Sequence, residues 1–188
     1  KNKVVRQDDE FWIGYCGSLS DSYDIPCVID AVQYLDDPKV KLIVMGEGHL
    51  KDKFQKYAAH VGIHAEFTGY MNYSEMCGLL AACDITVNPI RGKSAASIIN
   101  KHADYAACGL PVINTQNSAE YQKLIEIYHM GYSVKPGDYQ MFACKLKELI
   151  CNEKLREEMG KNSRRCAEEK FNRKHTYQEL IKIIANKE

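Results

Sequence analysis

Lys101 and Asp104 stand three residues apart in "SIINKHADYAACGLPVIN", residues 97–114, and a helix starting near Ser97 projects both from its first two turns on one face. That pair suits a nucleoside diphosphate. The ammonium would meet phosphate charge, and the carboxylate would accept hydrogen bonds from a ribose diol more strongly than a neutral acceptor does. The loop ahead of it, "RGKSAAS", adds Arg91, Lys93, Ser94 and Ser97 beside the positive pole of the helix dipole. The plain alternative is a surface ion pair between Lys101 and Asp104, worth under about 0.5 kcal/mol.

Gly17, Gly46 with Gly48, and Gly69 each follow a short apolar run. Glycine lets a ligand come close to the backbone, and Ser18 in "GSLS" adds a hydroxyl, a combination able to cradle phosphate oxygens. Tight β-to-α turns account for the same glycines without a ligand. "GEGHLK" has Lys51 where a dinucleotide fingerprint needs glycine, and no Walker loop occurs, which disfavours nicotinamide enzymes and P-loop NTPases. His49, after "GEG", is either a donor contact or a capping or surface residue.

The elements that must position these residues alternate along the chain. "FWIGYCG" (11–17), "VKLIVMG" (40–46), "AEFTG" (65–69), "DITVNP" (84–89), "PVINT" (111–115) and "GYSVKP" (131–136) read as strands. Helical patterns follow them near 24–36, 49–61, 73–82, 97–108, 118–127 and 138–151. Short apolar runs in this order predict fully buried parallel strands with helices on both faces, an α/β, Rossmann-like doubly wound sheet of about six strands. Ligands of such sheets bind beyond the carboxyl ends of the strands, where the residues above fall. From residue 153 the pattern is helical alone, so the chain divides into a sheet domain over 1–152 and a helical tail over 153–188.

Composition narrows the function classes. With 25 basic and 25 acidic residues the formal charge is zero, so no global field recruits nucleic acid or an anionic bilayer. The local exception is Lys161, Arg164, Arg165, Lys170, Arg173 and Lys174, a solvated helix face or a surface for acidic lipid or a partner. No run approaches the roughly 20 apolar residues of a membrane span, and no signal peptide is evident, so a cytoplasmic location is expected. The charged opening "KNKVVRQDDE" reads as the start of a piece cut from something longer. Eight cysteines form no Cys-x-x-Cys; reduced thiols and no metal centre are expected.

The run Asn100-Lys101-x-x-Asp104-Tyr105-x-x-x-Gly109-x-Pro111-Val112 resembles the nucleotide-sugar-binding helix of glycosyltransferase family 4, particularly of bacterial surface-polysaccharide enzymes. "YCGSLSDSYDIPCVIDAVQYL", "KLIVMGEGHLKDKFQKYA", "AEFTGYMNYSEMCGLLAACDITVNPI" and "GYSVKPGD" resemble that family's other donor-domain segments in the same order, over about residues 11 to 150. The resemblance implies the donor-binding, C-terminal half of a GT-B enzyme that transfers sugar from a nucleotide diphosphate donor (UDP or GDP type) with retained configuration. Its acceptor-binding N-terminal half would be the partner in the full-length protein, and peripheral contact with the inner face of a membrane is compatible with it.

Residue by residue, Asp104 takes the place of the glutamate that binds the donor ribose, Gly17 and Ser18 lie near the phosphates, and Met71 lies where the backbone meets the base. Two departures are plain. The family's other motif glutamate falls on Ala96, and the Arg and Lys that commonly follow the first glycine loop are missing. Lys101, with Arg91 or Lys93, would then neutralise the diphosphate. Lys101 is the expected catalytic group, stabilising the leaving diphosphate without metal or other cofactor. The resembled enzymes also predict a last helix crossing to the other half, leaving Tyr177, Leu180, Ile181 and Ile184 partly uncovered. Rival readings are a nucleotide-sugar epimerase half and a non-catalytic module, either a degenerate nucleotide binder or a receiver; a receiver needs acidic strand ends, where this chain has glycines and Asn88.

Overall fold

The computed structural model describes residues 4–92, 98–174, 177 and 184. Six strands, β1 (Phe11–Cys16), β2 (Val40–Met45), β3 (His64–Gly69), β4 (Ile85–Asn88), β5 (Val112–Asn114) and β6 (Gly131–Ser133), alternate with α1 (Ile25–Leu35), α2 (Lys51–Val61), α3 (Tyr73–Ala81), α4 (Asn100–Ala107), α5 (Ala119–Tyr128) and α6 (Tyr139–Cys151). The sheet is parallel throughout, in the order β3-β2-β1-β4-β5-β6. Its order reverses between β1 and β4, the crevice where doubly wound sheets take ligands.

Strand alternation sorts the side chains into two cores. Phe11, Ile13, Tyr15, Leu42, Val44, Ile85 and Val87 face a core closed by α1, α2 and α6, with Val28, Phe54 and Phe142 among its members. Trp12, Cys16, Ile43 and Met45 face the opposite core, closed by Leu80 of α3, Tyr105 of α4 and Ile125 of α5. The expectation of fully buried strands holds for β1, β4 and β5, and for β2 apart from half-buried Lys41. It fails at β3 and β6, which are partly exposed because they are the sheet edges and have a neighbour on one side alone.

The boundary after residue 152 falls between α6 and α7 (Glu153–Cys166), where Asn152 caps α7 by accepting from the Leu155 N–H at 3.1 Å. Helix α7 packs on α4, α5 and α6, with Met159 entering the first core and Cys166 the second. A π-helical turn over Ala167–Phe171 follows. Part of the basic run is used internally: Arg164 donates to Glu168 and to the Ala107 carbonyl, both at 2.8 Å, and Arg165 lies over the Tyr128 ring. Tyr177 and Ile184 are 58% and 61% exposed, while Leu180 and Ile181 lie outside the described residues. The described cysteines are all free thiols, four of them buried.

Candidate functional site

At the β1/β4 crevice the structure forms a cavity of about 500 Å³ that brings together Gly17, Ser18, Gly46, Met71, Lys101 and Asp104. These six come from three different strand-to-helix connections and one helix, so only the sheet order makes them neighbours. Backbone geometry at the floor demands glycine twice. Gly17 has φ +142°, and a Cβ there would lie 2.7 Å from the Lys101 ammonium nitrogen; a Cβ at Gly46 would overlap the Gly17 carbonyl oxygen. The Tyr15 hydroxyl donates to the Ser18 carbonyl at 2.6 Å and pins the turn.

Helix α4 begins at Asn100, with Ile99 as its N-cap, three residues later than the spacing predicts. Ile99 has no side chain that could cap the first turn, and His102 does part of that work: its Nδ1 accepts from the Ile99 N–H at 3.3 Å. His102 stacks on Tyr121 with ring centroids 3.4 Å apart, and its Nε2 meets the Asn88 amide at 3.1 Å. Burial, then the neighbouring Lys101 charge, push its pKa down to about 3, so it acts as a neutral brace. Tyr105 anchors the same helix, its hydroxyl accepting from Cys16 N–H and donating to the Val87 carbonyl, both at 3.1 Å.

Lys101 is buried, and among the described residues its ammonium has no hydrogen-bond partner. Its nitrogen lies 4.3 Å from the centroid of Tyr15 and 3.9 Å from that of Tyr23, a cation–π sandwich aimed at the Gly17 loop. Desolvation pushes its pKa from an ordinary 10.5 down to about 7. Burying a cation without a hydrogen-bonded counter-charge costs free energy, and a group able to supply negative charge at the glycine floor would offset that cost. The surface ion pair with Asp104 is not formed: among the described residues, the hydrogen bond to the Asp104 carboxylate comes from the Tyr73 hydroxyl at 2.8 Å.

Other expected residues fall elsewhere. Arg91 does not line the cavity; it sits 3.6 Å from Asp24, because an antiparallel bridge between Tyr23 and Ile90 ties the two loops side by side. Lys93, Ser94, Ala96 and Ser97 lie outside the described residues. His49 is exposed and pairs with Asp21 at 3.0 Å. Tyr15, Tyr23, Glu47, Tyr70, Tyr73 and His102 were not legible as site residues. For Tyr15 and Tyr23 a signal existed, since both flank the first glycine loop. Glu47 accepts from Lys51 at 2.7 Å and from the Tyr70 N–H at 3.2 Å, which holds the loop carrying Met71 against the cavity. Among the described residues no group of three or more His, Cys, Asp or Glu is placed to hold a metal.

The family model described as "Glycosyl transferases group 1" matches residues 1–166. The chain belongs to that family. Among its relatives, the "Putative glycosyltransferase EpsD" of Bacillus subtilis is 24% identical over 182 residues, 95% of this chain and 46% of EpsD. The lipopolysaccharide core biosynthesis glycosyltransferase LpsE of Rhizobium meliloti is 24% identical over 162 residues, 85% of this chain and 45% of LpsE. The crystal structure of Anabaena HepE in complex with UDP matches with a TM-score of 0.82 at 19% identity, covering 95% of this chain and 49% of that one. At that identity the likeness establishes the fold. The chain spans about half the length of the curated relatives it matches.

Proposed function

We propose that this chain is the donor-binding half of a retaining glycosyltransferase, which moves a sugar from a nucleotide diphosphate sugar to a glycan or lipid-linked acceptor in surface-polysaccharide synthesis. The observation that carries the reading is the buried Lys101 ammonium, unpartnered among the described residues and aimed at the Gly17 floor of the cavity that also holds Asp104. HepE, a fold neighbour, binds UDP, and LpsE takes part in lipopolysaccharide core synthesis, which supports both donor type and pathway class.

In this reading the diphosphate lies over Gly17 and Ser18, with Lys101 rising to it and the first-turn amides of α4 pointing the same way. Asp104 accepts from the ribose, and the Met71 backbone borders the base. As the bond from sugar to diphosphate breaks, negative charge grows on the leaving oxygen, and Lys101 stabilises it from a site already desolvated. Any group that handles the acceptor proton belongs to an N-terminal half, toward which Tyr177 and Ile184 would turn their exposed faces. A cytoplasmic location, at the inner face of the membrane, fits a donor of this kind; no described helix is long and apolar enough to cross a bilayer.

Calorimetric titration with UDP, GDP and ADP tests the reading. One of them should saturate the site, and Asp104→Ala should weaken it roughly tenfold, the loss of a charge-assisted hydrogen bond. Saturation by none, or an Asp104→Ala variant that binds as well as the parent, would refute it. Because Lys101 supplies the counter-charge, chelation with EDTA should leave nucleotide affinity within about twofold; a loss of tenfold or more would show that an ion carries the phosphates instead.

A further inference from the structure

Tyr73 opens helix α3 two residues after Met71, its backbone fixed by a reciprocal cap in which the Asn72 side chain accepts from the Glu75 N–H at 2.9 Å and the Glu75 carboxylate accepts from the Asn72 N–H at 3.4 Å. Its ring is 67% exposed, so it adds little to either core. Yet its hydroxyl reaches across to α4 and donates to Asp104 Oδ1 at 2.8 Å. The hydrogen bond to Asp104 is the first cause that raises the Tyr73 pKa, and the phenol stays a donor at neutral pH.

Asp104 lies on a wall between two cavities. The inner one holds Gly17 and Lys101; the outer one, about 820 Å³, is lined by Tyr73, Asn100, Ala103 and Phe171 and does not include the glycine floor. Tyr73 approaches from the outer side. An aspartate carboxylate turns about χ2 in a broad, roughly two-fold well, so a half-exposed one has no preferred plane of its own. Holding one oxygen from outside removes that freedom and leaves the second oxygen for the inner cavity.

We propose that Tyr73 is the positioning residue of the ribose acceptor, and that its hold on Asp104 gives the site its preference for ribonucleotides over their deoxy forms. The proposal rests on the donor-site reading above. A site that presents a fixed acceptor to a hydroxyl loses more when that hydroxyl is missing than a site whose acceptor can turn away.

The test is calorimetric titration of the whole chain and of Tyr73→Phe with whichever of UDP, GDP or ADP saturates it, and with the 2′-deoxy and 3′-deoxy forms of that nucleotide. Tyr73→Phe keeps the ring and removes the hydroxyl. It should weaken the ribonucleotide about fivefold, and it should leave unchanged the affinity for the deoxy form lacking the hydroxyl that Asp104 reads. In the Asp104→Ala background the same substitution should have no effect, because there is nothing left to hold. Equal weakening of all three nucleotides, or a full effect in the Asp104→Ala background, would mean that Tyr73 acts on the fold and would overturn the proposal while the donor site stands. Saturation by none of the three nucleotides would remove the donor site and this inference with it.

Discussion

Lys101→Met should give a domain that is more stable than the parent and that has lost its hold on a diphosphate. The two effects have one cause. The parent folds with an ammonium buried between Tyr15 and Tyr23 and, among the described residues, without a hydrogen-bond partner, a cost that methionine, of similar length and apolar, does not carry. The gain should be on the order of 2 kcal/mol, since the two rings recover part of the desolvation penalty.

Its pH dependence follows from a folded pKa of about 7 against an ordinary 10.5. Below about pH 7 the group is charged in both folded and unfolded chains, and the folded state bears the whole cost. Between 7 and 10.5 the unfolded chain binds the extra proton, so parent stability rises with pH and the advantage of the variant shrinks. Urea unfolding of both proteins at pH 6.5 and pH 9.5 would read this directly. Nucleotide affinity should move the other way: about 10- to 100-fold weaker in Lys101→Met, weaker still in Lys101→Glu, and falling in the parent as pH rises above about 7. An affinity untouched by charge reversal would remove Lys101 from the site.

The second large effect is expected at Gly46. A methyl group there would overlap the Gly17 carbonyl oxygen, and the atom it meets is backbone at the end of β1, which cannot step aside without moving the cavity floor. Gly46→Ala should cost about 3 kcal/mol or more and abolish nucleotide binding with it. Gly78, inside α3 with nothing near a built Cβ, is the internal control. Gly78→Ala should stabilise by roughly 0.5 to 1 kcal/mol. A Gly46→Ala variant as stable as the parent in a urea titration would show that β1 and β2 separate at their ends more easily than their register implies.

Several features follow from sequence order alone, because they depend on local periodicity. Apolar runs such as "WIGYC" and "LIVM" alternate with amphipathic stretches, and that pattern admits few architectures besides a wound parallel sheet. Lys101 and Asp104 are three apart on a helix, so their shared face needed no tertiary information, even though the described helix begins at Asn100 and not at 97. The glycines at strand ends also mark the ligand edge by themselves.

Partners were decided elsewhere. Tyr73 and Asp104 are 31 positions apart, and Lys101 meets Tyr15 and Tyr23 from a separate β-α unit. Local spacing holds no record of such pairs. Arg91 looked like a phosphate ligand from its place in the chain, and a bridge between Tyr23 and Ile90 set it beside Asp24 instead. Burial of Lys101 was likewise invisible, since an i,i+3 lysine and aspartate look solvent-exposed until the Tyr15 and Tyr23 rings close over the ammonium. Local order thus determined which elements form and which residues reach the ligand edge. The packing of β1 between β2 and β4 decided which of those residues touch, because contacts between distant segments depend on sheet order and loop closure, to which no nearest-neighbour preference is sensitive.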